Sequence, residues 1–94
     1  MSAAKRLPAW FRELDLRSCL LCWLSSAQSR YESAALTAFG DRFSAKQIRT
    51  ELRALQNDRH IQLMEFDRVR WAIHVSGRNL AARARERAKS KVAA

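Results

Sequence analysis

The stretch SAKQIRTELRALQN, residues 44–57, decides how the rest of the chain is read. Ser44 followed three residues later by Gln47 is a capping-box pattern: the hydroxyl accepts an orphan helix N–H and Gln47 reaches back. At about 100° per residue, Ala45, Ile48, Leu52 and Leu55 form one apolar stripe. Lys46, Thr50, Arg53 and Asn57 fall within about 60° of one another on the opposite face, with Arg49 and Gln56 beside them. Every residue of that outer set donates hydrogen bonds, and none is a carboxylate. One side packs into a core and the other offers a cationic surface, as a helix lying in a DNA major groove requires. The same face also suits an ordinary solvated helix.

Outward from this stretch, the chain reads as one domain, residues 1–94. Hydrophobic residues make up 48% and charged residues 29%, a globular rather than a disordered balance. Eighteen Lys and Arg against nine Asp and Glu leave a net charge of +9, which favours a polyanionic partner. The N-terminus shows no targeting segment, and the most apolar run, Cys19 to Leu24, falls far short of the ~20 residues a bilayer span needs. The expectation is a soluble cytoplasmic protein with reduced thiols, nucleoid-associated if it binds DNA, with no membrane partner.

Residues 1–7 read as a flexible basic arm carrying Lys5 and Arg6. Residues 8–27 read as an N-terminal and core helix, with Pro8 in its first turn. Asp15 either caps a second helix there or lies inside one continuous helix. The segment LRSCLLCWLSSA, residues 16–27, is apolar nearly all round, the mark of a helix buried on more than one side. After a polar break at 28–30, residues 31–39 form a second helix, and Gly40 stands where a helix end takes positive φ. Two short helices joined through a glycine-containing connection, the second amphipathic, make a helix-turn-helix pattern.

Beyond Asn57 the period changes to alternation over residues 61–75, a hairpin turning at Asp67-Arg68. Val69, Trp71, Ile73 and Val75 share one face of its second strand, and Arg70, Ala72 and His74 the other. Ser76 then caps a basic C-terminal helix over residues 77–89, with Leu80, Ala81 and Ala84 inward, and residues 90–94 fray. The predicted fold class is α+β, mainly α: three helices, a β-hairpin and a C-terminal helix in the order of a winged helix-turn-helix.

From residue 16 to 82, through LRSCLLCWLSSA, ESAALTAFGDRFSAKQIRTELRAL and VRWAIHVSGRNLA, the chain resembles the small ArsR-like winged-helix proteins of Mu-like phages and prophages. The resemblance implies a DNA-binding fold with residues 44–57 as recognition helix and 61–75 as wing. The ArsR metal-ligand cluster is not recognisable in this sequence, so metal sensing is not carried over.

The candidate DNA contacts are Lys46, Gln47, Arg49, Thr50, Arg53 and Asn57 on the helix, with Arg68 and Arg70 on the hairpin. Arginine can grip guanine O6 and N7 together, while Lys and Thr serve phosphates or bases. The expected partner is double-stranded DNA and the expected role transcriptional regulation. A winged helix can instead serve as a protein-interaction module, in phage assembly or as an inhibitor of a host complex, because fold alone does not fix function. The C-terminal helix has three readings: a homodimer interface made by Leu80 and Ala84 with Trp10, Phe11 and Leu14, phosphate contacts, or plain solvation.

Cys19 and Cys22 form a CxxC inside a buried apolar helix, where packing is the expected role. His60 and His74 lack metal-ligand spacing and read as surface or capping residues. No Gly-rich phosphate loop, nucleophile elbow or carboxylate pair is present, so no enzyme activity, cofactor, metal or small-molecule effector is expected.

Overall fold

The computed structural model describes residues 7–65 and 67–93, so most of the predicted basic arm and Phe66 lie outside the described residues. A short 3₁₀ helix, Ala9–Glu13, leads into α1 (Leu16–Ser25), β1 (Arg30–Tyr31), α2 (Glu32–Phe39), α3 (Ala45–Asn57), β2 (Ile61–Glu65), β3 (Arg70–Ile73) and α4 (Val75–Ala93). The architecture is α+β and mainly helical, with an antiparallel sheet of strand order β1-β3-β2.

Of the two readings left open for residues 8–27, the structure takes the one in which Asp15 caps a second helix. Pro8 stands at the N-cap of the 3₁₀ helix, and Leu14 turns extended at φ −98°, ψ 145°. Asp15 then opens α1 afresh, its carboxylate accepting from the Ser18 N–H at 2.8 Å. That hydrogen bond lowers the Asp15 pKa below its usual 3.8, against a smaller opposing effect of burial. At the far end, Arg30 donates from Nε to the Trp23 carbonyl, which also accepts from the Ser26 hydroxyl, and from its guanidinium to Ser26 Oγ, so the end of α1 is closed by side chains.

β1 is a strand where the periodicity predicts a polar break and the first residue of a helix. Arg30 pairs with Trp71 and Tyr31 with Arg70, and the Glu32 N–H donates to the Val69 carbonyl at 2.8 Å. Two residues are too few to show alternation, and their conformation is imposed by β3. With β1 on one side and β2 on the other, β3 is the central strand, and Ala72, predicted to face outward, is buried beside Trp71.

The Ser44 capping box is present with both of its hydrogen bonds, Gln47 N–H to Ser44 Oγ at 3.1 Å and Ser44 N–H to Gln47 Oε1 at 2.8 Å. Ile48, Leu52 and Leu55 are fully buried as the stripe requires, whereas Ala45 is exposed in the first turn. Gly40 has φ −68° rather than a positive value. Its reason to be glycine is space: a Cβ there would come 2.4 Å from the Leu36 carbonyl oxygen. α3 ends in a Schellman motif, with Arg59 N–H on Gln56 O at 2.9 Å and His60 N–H on Leu55 O at 3.0 Å. Arg59 supplies the left-handed residue, at φ 64°.

β3 begins at Arg70, so the turn takes in residues 67–69 and is longer than the two-residue loop predicted, and the β2 register shifts between Leu63 and Glu65. β3 ends at Ile73, so Val75 opens α4 and is 74% exposed rather than lying on the strand's apolar face. His74, not Ser76, occupies the position before α4, and its carbonyl accepts the Arg78 N–H at 2.9 Å. Ser76 instead ties α4 to the end of α3, donating to the Arg59 carbonyl and meeting His60 Nδ1 at 2.9 Å. Gly77 lets the two segments approach, since a Cβ would meet the His60 carbonyl oxygen at 2.5 Å. α4 runs on through Ala93, and its buried Ala81, Ala84 and Ala88 let it lie close to α1.

α1 is the hub of this packing. Its Leu20, Leu21 and Leu24 are buried among residues from every helix, and Trp23 meets Phe39 edge-on with centroids 5.8 Å apart. Phe11 stacks near Phe39 at 6.3 Å, which brings the 3₁₀ helix into the same core. Phe11, Leu14 and Ala84 are therefore spent inside the monomer, and of the predicted dimer contacts Trp10 and Leu80 are half-buried. A second copy could use the first three only by opening this core.

Candidate nucleic-acid interface

The cap and the aliphatic ridge together fix how α3 presents its other side. With Ile48, Leu52 and Leu55 turned inward, Lys46, Thr50, Arg53 and Asn57 are all exposed. Gln47 is exposed too, but its carbonyl oxygen is committed to the Ser44 N–H, which leaves only its amide hydrogens for a ligand. One flank of α3 is tied to α1: Arg17 donates to Glu51 at 3.0 Å and to the Asp58 carboxylate. Burial opposes the Arg17 charge, but the hydrogen bonds and charges of Asp58 and Glu51 outweigh it and raise its basicity.

The other flank carries Arg49, and here the structure adds residues that no sequence pattern singles out. Arg49 Nε donates to Glu32 Oε2 at 3.3 Å, while Glu32 Oε1 accepts from Trp71 Nε1 at 3.1 Å. One carboxylate at the start of α2 thus joins α3 to the central strand. The sign in the sequence is an acidic residue opening a mostly apolar helix, where it also suits the helix dipole.

Arg68 lies over the Tyr31 ring at 4.3 Å from its centroid, and Arg70 over the same ring at 5.8 Å. Tyr31, Glu32, Leu36, Arg49, Arg68 and Val69 line one depression between the hairpin turn and α3. The predicted contacts thus fall into a row along α3 and a pair at the hairpin, with Arg49 and Arg68 bordering the same groove. Asn57 sits at the end of α3, about 18 Å along the axis from Ala45.

The two thiols lie elsewhere. Burial raises the Cys19 pKa despite the adjacent Arg42, and burial pushes Cys22 up to about 11. Both are free and buried, protonated at neutral pH and poor nucleophiles. Among the described residues no group of three or more His, Cys, Asp or Glu side chains could hold a metal ion, and no helix is long and apolar enough to cross a membrane. In comparisons with known proteins, the chain matches no family model, no curated protein and no solved structure.

Proposed function

We propose that this protein binds double-stranded DNA as a winged helix-turn-helix, with α3 in the major groove and the 67–69 turn against the backbone, in the role of a phage- or prophage-type transcriptional regulator. The observation that carries this reading is the shared groove: Arg49 from α3 and Arg68 from the hairpin line it together, beside the exposed row Lys46, Thr50, Arg53 and Asn57. The pairing of β1 with β3 supports the winged-helix layout, because it fixes the hairpin to the start of α2 and so sets its position relative to α3. A net charge of +9 supplies the long-range attraction.

A gel-shift series on mixed-sequence duplexes across salt concentrations tests it. Affinity should fall steeply with salt, and the Arg49→Ala/Arg53→Ala double variant should shrink the slope of log K against log salt, by about 0.9 for each of the two arginines that neutralises a phosphate. Absence of a shift at low salt, or a shift indifferent to salt, would reject the reading.

A further inference from the structure

We infer that Glu32 is a positioning residue that holds Arg49 ready to read a guanine; this rests on the DNA-binding reading above. Glu32 is an unusual partner for a DNA-facing arginine, because a carboxylate beside the groove repels phosphate. Its side chain is only 16% exposed, and it is fixed from two directions: its backbone N–H by Val69 O and its Oε1 by Trp71 Nε1. Trp71 is itself buried in the central strand, so the carboxylate stands on a rigid base. It takes the Nε–H of Arg49 and no other donor of that guanidinium.

The consequence is geometric. A guanidinium is a planar fork of five donors, and its outer edge, the two Nη groups, matches guanine O6 and N7. With Nε anchored, that edge keeps both Nη groups without a protein partner among the described residues, on a side chain 52% exposed. Arg49 is in the first half of α3, the half that reaches base edges in helix-turn-helix docking. An arginine serving only phosphate needs no such orientation, since an unrestrained charge suffices. Glu32 therefore offsets a loss of general affinity with preorganisation for one base.

The test is selection from a randomised 20-base-pair duplex pool with the wild-type protein, followed by binding of the selected duplex and its single-base variants. Glu32→Gln removes the charge and leaves one oxygen where Trp71 and Arg49 need two. It should lower discrimination at one G·C pair about tenfold, while binding of mixed duplexes stays equal or rises. Arg49→Lys keeps the charge on an exposed site, so it cannot be confused with misfolding, and it should flatten the same position. Retained discrimination in either variant overturns the inference, as does a Glu32→Gln protein that weakens on all duplexes equally with a lower melting temperature. A wild type that shifts duplexes without any base preference also overturns it, while leaving DNA binding in place. If the wild type binds no duplex at all, the function proposed above falls first.

Discussion

Arg59 holds a left-handed backbone at φ 64°, where a side chain with a Cβ is strained. Both Schellman hydrogen bonds form in spite of this, because the turn must deliver the chain from α3 into β2 within three residues. Arg59→Gly should relieve the strain, partly offset by the extra freedom glycine gives the unfolded chain. The expected net gain is about 0.5–1 kcal/mol, read as a higher urea midpoint with an unchanged m-value. A loss of stability would mean that the arginine side chain outweighs its backbone cost. This residue also marks a limit of the sequence. Glycine is the residue expected at a left-handed helix end, yet Gly40 is right-handed, while the true left-handed position carries no glycine. Glu32 is hidden in the sequence for a related reason: what makes it important is Trp71 and Arg49, neither of which is near it in the chain.

At the level of elements, what can be read is whatever carries its own signal. α3 is legible because a capping box and an apolar stripe agree over 13 residues. α1 is legible as a buried helix, but whether Asp15 starts it depends on Leu14 turning extended, which tertiary packing decides. β1 is illegible because two residues have no period, and the length of α4 is hidden because its buried face is made of alanines rather than large apolar side chains. The Asp15 cap has a testable pH signature. Its folded pKa is depressed, so the unfolded state takes up the proton first, and the contribution is complete above the ordinary 3.8 and lost as pH falls through the lower folded value. Asp15→Ala should cost about 1 kcal/mol at neutral pH. Asp15→Asn, itself a good cap, should keep most of the stability there and remove this part of the acid sensitivity. An Asn variant with the same acid profile as wild type would locate the acid sensitivity in other carboxylates.

Over the whole molecule, α1 is clasped from separate directions. α3 reaches the flank carrying Arg17, through Glu51 and Asp58. α4 covers the flank carrying Cys22 and Ser25, where Cys22 Sγ donates to the Ala81 carbonyl at 3.4 Å and Arg78 donates to the Ser25 carbonyl at 3.0 Å. The 3₁₀ helix closes over Cys19, whose sulfur lies 3.6 Å from the Phe11 carbonyl oxygen and 3.8 Å from that of Leu14. Arg42, in the connection between α2 and α3, holds that lid by donating to the same two carbonyls at 3.2 and 3.1 Å. A CxxC on a single buried helix thus sets one sulfur against the 3₁₀ helix and the other against α4, two covers that also meet each other where Lys89 lies 5.9 Å from the Trp10 ring centroid.

The spacing therefore amounts to a pair of built-in gauges. In a Cys22→Ala protein, alkylation of the remaining thiol times the lifting of the N-terminal segment; in a Cys19→Ala protein it times the departure of the C-terminal rod. Arg42→Ala should speed the first labelling and leave the second alone, and if both accelerate together the two doors open as one.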